Sequence, residues 1–110
     1  MTKKLTKREL TTNLKTISTT WGVTDDGTSL VRTFTFARFI DSFMFVTRLG
    51  IHAEVMKQYP RIMLEQQKVT LTLGDFHHKV LTVDNFDLAK KIDVIFTLST
   101  TTARGRISRD

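Results

Sequence analysis

The sequence predicts an α+β domain in which helices cover one face of an antiparallel sheet. Two observations carry this prediction: a long, proline-free helical segment at residues 37–57, and shorter segments in which apolar and polar residues alternate. The segments follow one another as helix, hairpin, long helix, strands and helix. A chain of 110 residues closes one hydrophobic core, so we expect one domain at residues 5–98. Residues 99–110 are basic, have almost no apolar side chains and are predicted to form a flexible tail.

The first helix is indicated by a capping pattern. Thr6 and Glu9 have the spacing of a capping box, in which each side chain accepts a hydrogen bond from the other residue's backbone amide. Leu5 and Leu10 have the spacing of the hydrophobic staple that accompanies such a box. Apolar residues then recur at positions 10, 14 and 17, so we expect one narrow apolar face on a helix that ends before Trp21.

A β-hairpin is expected at residues 23–36. Asp25, Asp26 and Gly27 supply residues that tolerate the positive φ angles of a tight turn. After the turn, Leu30 and Phe34 alternate with polar threonines, which is typical of a strand with one buried face.

The longest predicted helix ends at Tyr59-Pro60, because the residue before a proline is pushed out of the α region. We assign its core-facing side to residues at helical spacing, namely Phe39, Phe43, Val46, Gly50 and Ala53. A second apolar flank consists of Ile40, Met44, Ile51 and Val55. This flank exceeds what one sheet face covers, so we expect the chain to form a homo-oligomer, a dimer or a tetramer.

The last third of the chain predicts strands and a helix. Residues 68–73 alternate between polar and apolar, which indicates a strand solvated on one side. Gly74 and Asp75 interrupt it, and residues 79–81 are expected to resume an extended strand. The final helix should begin between Thr82 and Asp84, with apolar residues at positions 88, 92 and 95.

The charge pattern argues against a basic nucleic-acid-binding face. The formal net charge is +6, but residues 21–98 hold nine basic and nine acidic side chains, so the excess lies at the two ends. We interpret the basic ends as solubilising segments. No apolar run approaches the ~20 residues that a membrane helix needs. The absence of cysteine excludes disulfides and thiolate chemistry and leaves the reducing cytoplasm as the default compartment, with an organelle such as the mitochondrion still open.

A series of short motifs runs through most of the chain in one ungapped order. The motifs are Leu-Thr-x-x-Glu at residues 5–9, Trp21, Phe34-Thr-Phe36-x-x-Phe39, Phe43-x-Phe45-x-x-Arg48, Ala53-Glu54, Pro60, Lys-Val-x-x-Thr-Leu at residues 68–73, and Leu81-Thr82. Over residues 5–96 their order and spacing resemble the pterin-4a-carbinolamine dehydratase family. The resemblance implies a four-stranded antiparallel sheet with helices on one face. It also implies dimers formed by joined sheets and tetramers formed through the helices.

The positions that carry the chemistry of that family differ in this sequence. Its Glu-x-x-x-His-His-Pro motif here has Gln58 and Tyr59 in place of the two histidines. In the same register, the third family histidine falls on Phe76 and the family aspartate on Asn85. The resemblance implies dehydration of a 4a-hydroxytetrahydropterin in tetrahydrobiopterin recycling, a reaction that needs a proton donor and an acceptor titrating near neutrality.

The replacements do not supply such groups. The amide of Gln58 and the ring of Phe76 exchange no proton, and a tyrosine hydroxyl ordinarily titrates near pH ~10. We therefore predict a pterin-dehydratase-like protein with a degraded active site and weak or no activity, acting as an oligomeric scaffold for a pterin or a protein partner. The residues assigned to ligand binding are Glu54, Gln58, Tyr59, Pro60, Phe76, His77, His78 and Asn85. We expect no cofactor, and no metal site, because the two adjacent histidines lack a third ligand beyond Asp75.

Two alternatives stay open. The first is an active dehydratase that uses His78 or Tyr59 as its catalytic residue. Alternate side chains of an extended segment share a face, so His78 would point where the third family histidine would point. The second is a nucleic-acid-binding or coactivator-type module that uses the basic ends.

Overall fold

The fold is a four-stranded antiparallel sheet with three helices. The computed structural model describes the backbone of residues 5–109 and the side chains of residues 5–99. The elements are α1 (Lys7–Leu14), β1 (Gly22–Val23), β2 (Leu30–Thr35), α2 (Phe39–Met56), β3 (Arg61–Glu65), β4 (Lys68–Leu73) and α3 (Val83–Arg109). The strand order is β1-β2-β4-β3 with every neighbouring pair antiparallel. The predicted α+β class and the four-stranded sheet are confirmed.

One face of the sheet forms the floor of the core. Phe34 of β2 lies opposite Val69 of β4, and Leu30 lies opposite Leu73. All four side chains are buried, as the alternating pattern predicts. On the opposite face, the hydroxyl groups of Thr33 and Thr70 are 3.0 Å apart.

Helix α1 begins as predicted and ends earlier. The capping box is present, because the Thr6 hydroxyl accepts from the Glu9 amide at 3.1 Å and the Glu9 carboxylate accepts from the Thr6 amide at 2.9 Å. The helix stops at Leu14, whereas we expected it to continue almost to Trp21. The Thr16 backbone and hydroxyl both donate to the Asn13 carbonyl, and such local bonding of polar side chains competes with helical hydrogen bonds.

Helix α2 turns a different side to the core than the sequence suggested. Its buried residues are Ser42, Phe45, Leu49 and Ala53. Phe39 and Phe43, which we assigned to the core, are 54% and 49% exposed, and Gly50 is exposed too. Of the predicted core-facing residues, Ala53 is buried and Val46 is partly buried against the core.

Contacts with the sheet and with α3 decide this orientation. The ring centroid of Phe45 lies 5.0 Å from that of Phe34, 5.1 Å from Phe36 and 5.9 Å from Phe96. The hydroxyl of Ser42 donates to the backbone carbonyl of Gln66, in the turn between β3 and β4, at 2.7 Å. Both sides of α2 are apolar, so helical periodicity alone does not distinguish them.

A polar cluster joins the first hairpin to α3. The carboxylate of Asp93 accepts hydrogen bonds from Arg32 Nη1 at 2.6 Å and from the indole nitrogen of Trp21 at 2.8 Å. The guanidinium of Arg32 also lies 4.3 Å from the ring centroid of Phe34. Asp93 thereby satisfies two polar groups that would otherwise be costly to bury.

Two strand predictions need correction. The sequence analysis did not predict β3. Residues 79–81, which we expected to form a strand, contain one isolated β-bridge residue, Val80, which pairs with Asp75. Strand β3 is an edge strand whose Ile62 and Met63 are both exposed, so it lacks the one-sided alternation by which a half-buried strand is recognised.

Helix α3 begins at Val83, as predicted, and buries Leu88, Ile92 and Ile95. It continues through Arg109, so the segment from Ser99, which we expected to be a flexible tail without regular structure, has helical backbone. The flexibility of that segment stays a prediction. Within the described residues, no helix combines the length and the apolar content needed to cross a bilayer.

The orientation of α2 can be tested with Phe45→Ala and Thr47→Ala. We expect Phe45→Ala to lower the free energy of unfolding by about 3–5 kcal/mol, because it empties the centre of the aromatic cluster. Thr47→Ala, at an exposed position of the same helix, should change it by less than about 0.5 kcal/mol. Urea denaturation followed by circular dichroism measures both, and equal small effects would contradict the packing described here.

Candidate functional site

A cleft of about 440 Å³ opens where the end of α2, the end of β4 and the start of α3 meet. The residues that line it are Lys57, Gln58, Tyr59, Gly74, Asp75, Phe76, His77, Thr82, Asp84 and Asn85. Five of the eight predicted ligand-binding residues are therefore together in one cleft. Another cavity, of about 610 Å³, lies between the start of α1 and the β1–β2 turn, and none of the predicted site residues lines it.

The end of α2 positions two of these side chains. Lys57 adopts the left-handed conformation with φ of 57°, and the backbone N–H of Gln58 donates to the backbone carbonyl of Ala53 at 3.0 Å. This arrangement ends a helix by satisfying its last carbonyls. The following Pro60 prevents the helix from continuing. Gln58 and Tyr59 are consequently held at the edge of the cleft.

A hydrogen-bonded pair of side-chain amides forms one wall of the cleft. Asn85 Nδ2 donates to Gln58 Oε1 at 3.0 Å. Asn85 Oδ1 accepts from the backbone amide of Thr82 at 2.9 Å and from its hydroxyl at 3.1 Å. Asn85 is only 2% exposed. The pair occupies positions at which the resemblance implies a histidine and an aspartate, and neither amide titrates.

Tyr59 is held by Glu54. The Tyr59 hydroxyl donates to Glu54 Oε2 at 2.7 Å, and this hydrogen bond, aided by slight desolvation and the carboxylate charge, raises the pKa of Tyr59 above its ordinary value. The hydroxyl therefore keeps its proton at neutral pH and is poorly suited to act as a base. Glu54 itself does not line the cleft, and neither does Pro60.

The two adjacent histidines have different surroundings. The Asp75 carboxylate accepts from the His78 backbone amide at 2.9 Å and contacts His78 Nδ1 at 3.1 Å. A carboxylate only accepts hydrogen bonds, so Nδ1 carries a proton in this arrangement. His77 lines the cleft and His78 does not. Our expectation that His78 would share a face with position 76 assumed an extended segment, whereas residues 76–79 form turns. A catalytic role of His78 stays a prediction.

The ring of Phe76 contacts the side chain of Arg61. The guanidinium carbon of Arg61 lies 4.0 Å from the Phe76 ring centroid, within the range of a cation–π contact. The neighbouring Gly74 has no room for a side chain, because a Cβ atom there would lie 2.8 Å from the Thr28 carbonyl oxygen. A close approach of two chain segments thus shapes the cleft beside the aromatic ring.

Several cleft residues were missed by the sequence analysis. Thr82 was not among the predicted residues, although its Thr-x-x-Asn spacing with the predicted Asn85 is that of a helix start and could have indicated their contact. Lys57, Asp84 and Arg61 carry no comparable local pattern, because the tertiary fold alone brings them near the cleft. Among residues 5–99, no three His, Cys, Asp or Glu side chains lie close enough together to hold a metal ion.

The arrangement is suited to binding a flat polar molecule. Phe76 and Tyr59 offer aromatic surfaces, and the side-chain amide of Gln58 offers a hydrogen-bonding group in the same cleft. His77 is the one imidazole among the described residues that line the cleft.

Comparison with known proteins finds a matching family and relatives that are about one third identical. The family described as "Pterin 4 alpha carbinolamine dehydratase" matches residues 3–95. A protein of Mesorhizobium japonicum named "Putative pterin-4-alpha-carbinolamine dehydratase" is 32% identical over 93 residues, covering 84% of this chain and 94% of that protein. A protein of Rhizobium meliloti with the same name is 34% identical over 73 residues, covering 66% of this chain and 70% of that protein.

Two solved structures share the fold. A "transcriptional coactivator/pterin dehydratase" from Brucella melitensis superimposes with a TM-score of 0.78 at 24% identity, covering 84% of this chain and 98% of that chain. A "pterin dehydratase-like protein", described as a RuBisCO assembly factor in the alpha-carboxysome, has a TM-score of 0.61 at 19% identity, covering 70% of this chain and 89% of that chain. At these identities the likeness shows the fold alone.

The contact between Tyr59 and Glu54 can be tested by measuring the pKa of Tyr59. We expect Glu54→Gln to lower the pKa of Tyr59, because the neutral amide no longer repels the developing phenolate and accepts a weaker hydrogen bond. Tyr59 is the single tyrosine of the chain, so the ultraviolet absorbance of tyrosinate reports it alone. Glu65→Gln, at an exposed position of β3, is the control and should leave the titration unchanged. Equal titration curves for the wild type and Glu54→Gln would contradict the contact.

Proposed function

The chain belongs to the pterin-4a-carbinolamine dehydratase family, which confirms the resemblance, and from this premise we propose a binding scaffold with weak or no dehydratase activity. In this proposal the cleft binds a pterin-like heterocycle, and the exposed side of α2 joins copies of the chain. The observation that carries the proposal is the hydrogen bond between Gln58 and Asn85.

The proposed loss of activity follows from what the cleft residues can do with protons. Dehydration removes a hydroxyl group from C4a and a proton from N5 of the pterin, so one group must donate a proton and another must accept one. The amides of Gln58 and Asn85 do neither at neutral pH. The raised pKa of Tyr59 keeps its hydroxyl protonated. The groups at these positions therefore support binding better than turnover.

Retained binding is supported by the aromatic and polar lining of the cleft. The ring of Phe76 contacts the guanidinium of Arg61, and the hydroxyl of Tyr59 donates to Glu54. Each contact restricts its ring before a ligand binds. Preorganised side chains lose less conformational entropy when they bind. A planar heterocycle can stack against such rings while its edge meets the Gln58 amide.

The proposed oligomer is supported by the exposed side of α2. Its apolar side chains Phe39, Ile40, Phe43, Met44, Ile51 and Val55 are all about half exposed or more. The rings of Phe39 and Phe43 lie 6.1 Å apart and form a continuous surface. Contiguous apolar patches of this kind mark interaction sites.

One observation favours a second candidate, an active dehydratase: His77 lines the cleft and carries an imidazole that can exchange a proton. A nucleic-acid-binding or coactivator-type role of the basic ends remains the third candidate. Of the side chains that carry it, Lys7, Arg8 and Lys15 are exposed, whereas those at residues 1–4 and 100–110 lie outside the described residues.

The first experiment compares binding with turnover. We expect the wild type to bind oxidised 6,7-dimethylpterin with measurable heat in calorimetry, while it forms quinonoid dihydropterin from the synthetic carbinolamine at close to the spontaneous rate. The triple variant Gln58→His, Tyr59→His, Phe76→His should raise that rate about tenfold or more, because it returns groups that exchange protons near neutrality. Circular dichroism checks that the variant is folded.

His77→Ala and His78→Ala are the matched pair for the competing candidate. A wild-type rate well above the spontaneous one that falls in His77→Ala but not in His78→Ala would replace the scaffold proposal with an active dehydratase. Absence of both heat and a shift in melting temperature with the pterin would remove the binding part of the proposal.

The second experiment tests assembly through α2. We expect the wild type to elute as a dimer or tetramer in size-exclusion chromatography with light scattering. The double variant Phe39→Ser, Phe43→Ser should shift it toward the monomer without unfolding it, because both side chains are exposed in the single chain.

Met63→Ser, on the edge strand β3, is the comparison variant. Dissociation by Met63→Ser and not by the α2 variant would move the interface from the helix to the sheet edge. A wild type that is monomeric at tens of micromolar would refute the oligomer.

A further inference from the structure

Two hydrogen bonds in series give the cleft a fixed polarity. They run from the backbone amide of Thr82 to Asn85 and from Asn85 to Gln58. Each member of the series is determined by the one before it. The first member is a backbone N–H group, which can only donate.

The direction of the series follows step by step. Because the Thr82 N–H donates at 2.9 Å, the Asn85 atom that receives it must be the oxygen, Oδ1. The other end of the same amide, Nδ2, is then directed to Gln58, whose receiving atom must be its oxygen, Oε1. The side-chain hydroxyl of Thr82 donates to the same Oδ1 at 3.1 Å and strengthens this assignment. The choice between oxygen and nitrogen in both amides is thus set by a backbone group.

The remaining atom of the series is Gln58 Nε2. Gln58 lines the cleft, and Nε2 has no hydrogen-bond partner among the described residues. It is not enclosed either, since the one buried side-chain atom without a partner in the described part of the chain is Arg32 Nε. Nε2 therefore has two hydrogens available to a ligand and no lone pair to offer.

We propose that Asn85 is a positioning residue that holds the Gln58 amide as a hydrogen-bond donor, so that the cleft selects heterocycles with an oxo group over those with an amino group at the facing edge. This inference rests on the proposed function of the same cleft. The carbonyl oxygen of an oxo-heterocycle accepts from Nε2. An amino group would place donor against donor and leave both without a partner.

The Gln58 side chain cannot rotate to accept from an amino group without losing its hydrogen bond to Asn85. Rotating the Gln58 amide to suit an amino group would turn Nε2 toward Asn85 Nδ2 and break the series at its centre. Asn85 cannot follow, because its own rotation would set Nδ2 against the Thr82 N–H group. The cost of a mismatched hydrogen bond in a partly enclosed site corresponds to about tenfold or more in affinity.

Two substitutions should reverse the polarity by different routes. In Asn85→Asp, the carboxylate accepts from Thr82 and from a rotated Gln58, which then presents its oxygen to the cleft. In Gln58→Glu, the new carboxylate accepts from Asn85 and presents its second oxygen. Asn85→Asp also adds a negative charge to the first turn of α3, which favours folding. Lys91→Gln, at an exposed position of α3, makes the same change in net charge away from the cleft and is the control.

A measurement without any ligand tests the hydrogen-bond series. We expect the side-chain NH₂ of Asn85 in ¹⁵N-labelled wild type to be protected from solvent exchange and that of Gln58 to exchange freely. In Asn85→Asp the Gln58 NH₂ should become protected. Free exchange of Gln58 in both proteins, or its protection in the wild type, would overturn the inference.

A measurement with a matched ligand pair tests the selectivity. The probes are 6,7-dimethylpterin, with an oxo group at C4, and 2,4-diamino-6,7-dimethylpteridine, with an amino group there. We expect the wild type and Lys91→Gln to prefer the oxo compound by about tenfold, and Asn85→Asp and Gln58→Glu to lose or reverse this preference. General damage to the fold would weaken both compounds alike and leave their ratio unchanged.

The outcomes separate the two proposals. Equal affinity of the wild type for both probes would overturn the selectivity while leaving pterin binding intact. Binding of neither probe would overturn the proposed function and the selectivity with it, and the exchange measurement would still decide the direction of the hydrogen-bond series.

Discussion

The packing of Phe34 against the two long helices is the contact on which the rest of the structure depends. Its ring centroid lies 5.0 Å from that of Phe45 in α2 and 4.9 Å from that of Phe96 in α3. This contact sets the rotation of α2 about its own axis. It thereby determines that Phe39 and Phe43 remain outside and that the end of α2 delivers Gln58 to the cleft. The interaction surface and the candidate site thus follow from the same arrangement of aromatic rings.

The position of the cleft is set by the backbone of the fold. The three elements that meet there are held by core packing and, at the start of α3, by the hydrogen bonds between Thr82 and Asn85. Asn85 Nδ2 and Gln58 Oε1 satisfy each other by hydrogen bonding. Among the described residues, this contact leaves neither amide with a buried polar atom that lacks a partner.

Local patterns allowed much of the fold to be predicted. The capping box of α1, the turn before β2, the alternation of β4 and the start of α3 each depend on residues close together in the sequence. Two of the errors concern features without a local cause. The consecutive apolar residues Ile62, Met63 and Leu64 of β3 show no alternation in the sequence. The two apolar sides of α2 become distinct only because one of them packs against Phe34 and Phe36. His77 rather than His78 lines the cleft because turns, unlike strands, do not alternate their side chains.

From the sequence alone it was possible to determine the family and the fold class, and to see that no histidine stands at the positions where the resemblance implies one, because these depend on residue identity and order. The tertiary structure alone decided which helix face is buried, which histidine reaches the cleft, and in which direction the amides of Gln58 and Asn85 are hydrogen-bonded. Those properties arise from contacts between residues far apart in the chain, such as positions 58 and 85. A sequence pattern records the nature of each side chain, whereas the orientation of an amide depends on the group that it meets in space.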